Sequence, residues 1–502
     1  MTSVKAPREG TQGGTLGRRE RKGRSVDANE QLSALLGEAG FVNPDGTLAR
    51  KKFGRAVTAA AASRGLTQSF THVHVGRWLN GASPRDKSVR ESILQALGTQ
   101  LGRTVHPDEA GFGTSGLSPD IGLRYSRDPT ASATTLAALL QADLDQIAAV
   151  VATQVTRTAW SEASLAWIAR PQDAEPRVPQ RVGSGDVIRL RQTRESFALL
   201  DNQFGGGHTR RALVTYLRED LPAVLRASAT STTRAELLSA AAEITQLAAW
   251  ASYDAGHHGL AQRYFVQALG LADAADDTSA GAGILDAMSH QATFLGNFAE
   301  AATLARAALV GSPSLDVPIL NAHFHLMEAR ALARTGDAVA CDRALSRAVT
   351  EYERHSPGDG PDWVQYVDDA EVAAEFAHCQ RDLDRSERAI HWARKALADA
   401  SGGYARSDFF ATMVLAQAQL DAGHPEEGTA TALVALDQGE TLRSRRGVSY
   451  VVELRQRLKR YRGSRVLADF TEQARERRLW QATVSRPTSR GGSRQSGSPR
   501  SA

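Results

Sequence analysis

A spaced pattern of small residues recurs five times in the second half of the chain and restricts the folds it can adopt. In each copy, a turn residue precedes a small residue, a second buried position follows four residues later, and an alanine comes three residues after that. Offsets of four and three lie on one face of a helix, where small side chains let a neighbouring helix approach closely. The copies begin at Gly256, Gly296, Gly336, Asp384 and Gly423, at intervals of 40, 40, 48 and 39 residues.

This register predicts the second helix of a repeated helix–turn–helix pair. It resembles the tetratricopeptide repeat, although the usual period of that repeat is about 34 residues. The longer period implies longer helices or longer connections, and a generic alanine-rich helical bundle is the alternative. Because no sustained β alternation occurs, we predict an all-α protein with a tetratricopeptide-like α-solenoid over residues 187–475. Such arrays present concave binding surfaces and rarely catalyse reactions.

Bulk composition predicts a cytoplasmic protein that does not enter a membrane. The 502 residues are 42% hydrophobic and 23% charged, which suffices for buried cores and a hydrated surface. No stretch of about 18 uncharged apolar residues is present, as a membrane-spanning helix would require. The two cysteines, Cys341 and Cys379, both fall inside helical patterns, which is typical of a reducing compartment.

Charge and composition also divide the chain. Residues 1–113 carry a balance of +7 and residues 475–502 a balance of +6, which leaves −9 for residues 114–474. Basic ends on an acidic body indicate that an end of the chain meets any polyanion. We predict disordered basic tails at 1–27 and 476–502 and an N-terminal domain at 28–113. A helical linker region at 114–186 follows, and it ends in a run rich in proline and glycine that separates it from the array.

The N-terminal domain has four helical stripes, and the third is short. It starts near Thr71, carries apolar residues at Val75, Trp78 and Leu79, and stops at Gly81. This order resembles the phage-repressor-like helix-turn-helix domain, whose third helix lies in the major groove of DNA. The resemblance implies that double-stranded DNA is a partner. The implied contacts are Thr71, His72, Val73, His74, Gly76, Arg77 and Arg85, and we add the nearby Lys51 and Lys52 as phosphate contacts.

Three features depart from that pattern. The segment between the second and third helices is long, Leu79 stands where an acidic residue is usual, and Gly76 weakens the helix by about 1 kcal/mol relative to alanine. The alternative is a four-helix docking module that does not bind DNA.

The whole layout resembles actinobacterial regulators that join an N-terminal helix-turn-helix to C-terminal tetratricopeptide repeats. Negative regulators of sporulation and antibiotic production are among them. The resemblance is strongest at residues 77–85, 200–207 and 241–265. It implies a transcriptional regulator, in our interpretation a repressor of differentiation or secondary metabolism, which can form a homodimer and bind a protein or peptide partner. The alternative is an interaction scaffold that does not bind DNA.

Few residues suggest catalysis or a cofactor. Gly205, Gly206 and Gly207 lack the strand and the lysine of a phosphate-binding loop, so we interpret them as a flexible helix break. Three histidine pairs have spacings whose members point apart on a helix, so we expect neither a metal site nor an enzyme. Trp363 and Tyr366 follow the third repeat, where the interval grows to 48 residues. They either bind an effector or seal the junction between repeats.

Overall fold

The computed structural model describes residues 29–82, 84, 86–103, 105, 109–112, 118, 120–169, 183–226, 230–312, 315–400 and 404–484. Within these ranges, all extended regular structure is helical, and the one β-bridge joins Val42 to Leu48. The prediction of an all-α protein is therefore confirmed for the described residues. The chain divides into two compact units, Met1–Ser115 and Gly116–Ala502.

The described part of the N-terminal unit has four helices around one apolar core. Asn29 caps the first helix by accepting a hydrogen bond from the Leu32 amide at 2.9 Å, and Asp86 caps the fourth in the same way through the Ser88 amide. Leu32, Phe53 and Val75 are fully buried, as their helical spacing predicted. The helices are α1 (Glu30–Glu38), α2 (Arg50–Ser63), α3 (His72–Leu79) and α4 (Lys87–Leu101).

The C-terminal unit is a series of consecutive antiparallel helix pairs. It opens with α5 (Pro129–Leu144), α6 (Ala148–Val151) and α7 (Arg157–Ile168). A pair without the recurrent pattern follows, formed by α8 (Ser184–Phe204) and α9 (Gly206–Arg226). The five pairs that carry the pattern are α10 (Ser231–Asp254) with α11 (His258–Ala274), α12 (Thr278–Phe294) with α13 (Phe298–Val310), α14 (Pro318–Thr335) with α15 (Ala338–Arg354), α16 (Asp369–Asp382) with α17 (Ser386–Asp399), and α18 (Ala405–Asp421) with α19 (Pro425–Gln438).

The recurrent pattern explains the turns inside these five pairs. All five turn residues have left-handed backbone conformations, with φ of 87° at Gly256, 82° at Gly296, 77° at Gly336, 56° at Asp384 and 88° at Gly423. Glycine adopts this conformation without steric cost, and aspartate tolerates it better than most residues. The small residues that follow are buried at Ala261, Ala301, Cys341, Ala389 and Gly428, where the two helices of each pair meet.

The long interval and the long repeats have separate structural causes. Helices such as the 24-residue α10 lengthen the repeats. The 48-residue interval arises because residues 355–368 connect α15 to α16 and include the short 3₁₀ helix Asp362–Val364.

Two predicted boundaries need correction. Helices α5 and α7 pack against α9, α11 and α13, so the predicted linker region forms part of the same compact unit. The array also continues past residue 475: α20 (Arg445–Leu458) and α21 (Arg465–Ala474) are followed by α22 (Arg478–Val484). Leu479 and Trp480 of α22 are buried in the apolar core, although the surrounding arginines suggested a tail. The predicted disorder at 1–27 and 485–502 lies outside the described residues.

Candidate functional site

In the N-terminal unit, α3 is held on α2 by a close backbone contact. The Phe70 amide donates a hydrogen bond to Thr58 Oγ1 at 2.8 Å. A Cβ atom on Gly54 would lie only 2.7 Å from the Phe70 carbonyl oxygen, so glycine at this position lets the segment before α3 approach α2. Val75, Trp78 and Leu79 face the core. The opposite face of α3 is consequently turned to solvent in a fixed orientation.

That outer face contains most of the residues that the sequence analysis predicted to contact DNA. Thr71, His72 and Arg77 are exposed, and Val73 is 53% exposed. Gly76 is half-buried because the guanidinium of Arg50 lies beside it, 3.5 Å from where a Cβ atom on Gly76 would stand. The sequence analysis did not include Arg50 among the DNA-contacting residues, although it directly precedes Lys51 and Lys52, which were predicted to contact phosphates.

The first turn of α2 concentrates positive charge next to α3. Arg50, Lys51 and Lys52 are exposed there, with no acidic residue in the turn and no side-chain cap at Ala49. The free amides and the dipole of a helix N-terminus attract anions and disfavour cations. Within the described residues, none of these three cations nor Arg77 forms an ion pair, whereas Arg64 and Arg103 of the same unit pair with acidic residues.

Two nominated residues differ from the others. His74 is half-buried, and its Nδ1 accepts a hydrogen bond from the Thr71 amide at 3.1 Å. Its ring also packs 5.9 Å from that of Phe70 and 6.5 Å from that of Trp78. His74 therefore caps the start of α3, because its side chain turns back along the helix and not outward. Arg85 lies outside the described residues.

In the C-terminal unit, the glycine segment between α8 and α9 is a tight junction and not a flexible break. The Gly206 amide donates to Asp254 Oδ2 at 2.8 Å, and the Gly207 amide donates to the Arg443 carbonyl at 2.8 Å. A Cβ atom on Gly206 would lie 2.3 Å from the Ala251 carbonyl oxygen. Only glycine allows the two backbones to come this close.

The same segment joins an early part of the array to a late part. The Arg443 amide donates to the Phe204 carbonyl at 2.7 Å, and Ser444 Oγ donates to Asp254 Oδ1 at 2.8 Å. Arg406 of α18 donates to Asp201 at 2.5 Å and to Asn202 Oδ1 at 2.9 Å. The segment 200–207 thus connects α8 to α10, α18 and the residues before α20.

Trp363 and Tyr366 lie on a groove lined mainly by the first helices of the repeat pairs. The Trp363 ring covers Gly283 of α12, where a Cβ atom would stand 2.5 Å from its Cη2. Tyr366 is 37% exposed, and its ring lies 5.8 Å from that of His323. We call this space the aromatic groove and define it by Arg194, Trp250, Asp286, His323, Trp363 and Tyr366.

Charges in the aromatic groove are only partly matched. His323 Nδ1 donates to Asp286 Oδ2 at 2.8 Å. Burial opposes a charge on His323, but the charge and hydrogen bond of Asp286 outweigh it and raise the histidine pKa to about 9. Arg191 pairs with Glu243 at 3.2 Å, whereas Arg194 has no ion pair or hydrogen bond among the described residues. These groups were missed because a single charged residue within a helix has no distinctive spacing.

Metal sites and membrane-spanning helices are absent from the described ranges. No group of three or more His, Cys, Asp or Glu side chains there could hold a metal ion. No helix in those ranges combines the length and apolar character needed to cross a membrane.

Comparison with known proteins yields one family match. A family model described as the SP15 N-terminal domain matches residues 32–113. This range contains nearly all of the four-helix unit but less than half of the chain, and the description states no ligand or activity. No curated protein matches the chain.

Proposed function

We propose that the protein is a cytoplasmic DNA-binding transcriptional regulator. In this proposal the N-terminal unit is a phage-repressor-like helix-turn-helix domain, and the helix pairs are tetratricopeptide-like repeats that bind an effector or partner. The sequence resemblance further implies a repressor of differentiation or secondary metabolism. One observation carries the proposal: Arg50, Lys51, Lys52 and Arg77 form an exposed set of cations, unpaired among the described residues, around the outer face of α3.

The proposed DNA complex follows from this arrangement. The outer face of α3 enters the major groove, where the Arg77 fork can donate to O6 and N7 of one guanine. His72 and Val73 contact neighbouring base edges, and Thr71 contacts the backbone. The first turn of α2 lies against phosphates, since its free amides and its three cations all favour an anion.

Selection of random duplex DNA by the full-length protein tests this proposal. We expect an enriched motif at low salt, and we expect Arg77→Ala to relax it at one guanine. Loss of a bidentate contact costs about 1–3 kcal/mol of discrimination, or roughly 5- to 150-fold. The matched control is Arg64→Ala, because Arg64 lies at the end of α2 and pairs with Glu91. A motif that both variants recognise equally well would exclude base readout by Arg77.

The second candidate function is an interaction scaffold that does not bind DNA. The aromatic groove supports it, since all residues that line this groove belong to the C-terminal unit. Absence of any enriched motif or of salt-dependent DNA binding, together with capture of a protein partner by the array, would establish this alternative.

A further inference from the structure

The aromatic groove contains a cation, Arg194, that has no ion pair or hydrogen bond among the described residues. Arg191 and Arg194 of α8 both approach Glu243 of α10, and Glu243 is hydrogen-bonded by Arg191. Arg194 is half-buried, and its Nε is inaccessible to solvent and lacks a hydrogen-bond partner. Burial lowers the pKa of Arg194, and the negative charge of Glu243 is the strongest effect that raises it. A buried cation with unused donors favours an incoming anion.

The walls around Arg194 are largely aromatic and apolar. Trp250 and Trp363 are partly buried against the main core, and Tyr366 closes the groove at the loop between α15 and α16. Leu320 and Phe324 of α14 add apolar surface. A concave, mostly apolar lining with a few polar groups is typical of small-molecule sites.

One further polar atom in the groove is unused. Asp286 is 6% exposed; its Oδ2 accepts from His323, and its Oδ1 has no hydrogen-bond partner within the described part of the chain. A buried carboxylate oxygen without a partner costs free energy, and a ligand donor could remove that cost. The groove therefore has a donor at Arg194, an acceptor at Asp286, and aromatic walls.

We propose that the aromatic groove binds a small organic carboxylate with an aromatic or branched apolar body and a hydrogen-bond donor. Arg194 binds the ligand carboxylate, the tryptophans pack on the apolar body, and Asp286 Oδ1 accepts from the donor. This inference deepens the effector-binding part of the proposed function and rests on it. Among the described residues, the groove has one unused guanidinium donor and one unused carboxylate oxygen and no row of polar groups, which favours a small acid over an extended peptide.

The test uses full-length protein without DNA and measures binding by saturation-transfer NMR. The probes are phenylacetate, 3-phenylpropionate, 4-methylpentanoate and phenylalanine, each compared with its primary amide. We expect at least one acid to bind at millimolar concentration or below, and its amide to bind about tenfold more weakly because the charged hydrogen bond is lost. Arg194→Gln should abolish this preference.

The control is Arg189→Gln, because Arg189 lies on the same helix but is exposed and pairs with Asp186 at 2.9 Å. It should retain the preference for the acid. The inference is overturned if no acid binds, if the amides bind as well as the acids, or if Arg194→Gln keeps the preference. If no acid binds but the protein still selects a specific DNA motif, the ligand class alone is refuted. If an acid binds but no DNA motif is selected, the regulator proposal alone is refuted.

Discussion

The buried charges of the helix-pair array differ from the cations around α3 in the N-terminal unit. In the helix-pair array, deeply buried charges have partners: Arg406 binds Asp201, Arg330 binds Glu375, and Arg210 binds Asp143. In the N-terminal unit, the cations around α3 are exposed, and none has an ion-pair partner among the described residues.

This contrast separates charges that hold the fold from charges that are free to bind something else. A buried ion without a partner is costly, whereas an exposed cation contributes little to the free energy of unfolding. Arg194 is informative because it lies in the array but lacks a partner, as the cations around α3 do. On this criterion, both the outer face of α3 and the aromatic groove are candidates for ligands.

The largest expected effect comes from breaking a buried pair. Asp201 is 1% exposed, and Asp201→Ala leaves Arg406 uncompensated where α8 meets α18. We expect the free energy of unfolding to fall by about 4 kcal/mol in urea denaturation. The control is Glu427→Ala, whose partner Arg394 is 60% exposed and for which we expect a loss below about 1 kcal/mol. Equal losses in the two variants would contradict the contrast.

A smaller effect should appear in the pH dependence of stability. Because Asp286 raises the pKa of His323 to about 9 in the folded protein, the folded state keeps a proton that the unfolded state loses near pH 6.5. The stabilisation is complete below that pH and is lost as the pH rises through 9. We expect this histidine to lower the free energy of unfolding by about 2 kcal/mol between pH 7 and pH 9.

His323→Gln should remove this decline, and the exposed His391→Gln should retain it. The range above pH 7 is the informative one for His323. Burial raises the pKa of nearby Glu371 to about 7, so loss of the Glu371 proton lowers the free energy of unfolding as the pH rises toward that value. Parallel pH profiles for the two variants would show that His323 is not charged in the folded protein.

Local sequence patterns were sufficient to predict the repeats. Helical periodicity and left-handed turns depend on residues a few positions apart, so Gly256 and Gly423 marked their turns and Ala261 its buried helix face. The core stripes of α1 to α4 followed from the same periodicity. No comparable local signal marked the end of the array, where the burial of Trp480 outweighs the arginines around it.

Long-range contacts were not predictable from one sequence. Asp201 and Arg406 are 205 positions apart, and no spacing rule joins them. The junction at Gly206 depends on a backbone that arrives from Arg443, so the sequence suggested only a break. The orientation of His74 was not predictable for a related reason: its position on α3 was predicted, but its turn toward the Thr71 amide depends on a rotamer.

The smallest effect on stability should accompany a clear effect on DNA binding. The double substitution Lys51→Gln with Lys52→Gln removes two exposed cations from the first turn of α2. Lys52 Nζ lies 5.7 Å from the centre of the Phe41 ring, and neither lysine has an ion pair among the described residues, so we expect a loss of about 0.5 kcal/mol in unfolding free energy. Hydrogen exchange of the α4 amides reports this quantity for the N-terminal unit.

If the two lysines contact phosphates, the same substitution should reduce the slope of log affinity against log salt concentration by about 2, since each phosphate contact contributes about 0.9. The control is Arg64→Gln with Arg103→Gln, which removes the same charge from residues that are paired with Glu91 and Glu109. An equal change in slope for both variants would mean that DNA senses only the net charge of the unit. A change confined to the lysine variant would mean that unpaired cations at the start of α2, and not basic residues in general, form the phosphate contacts.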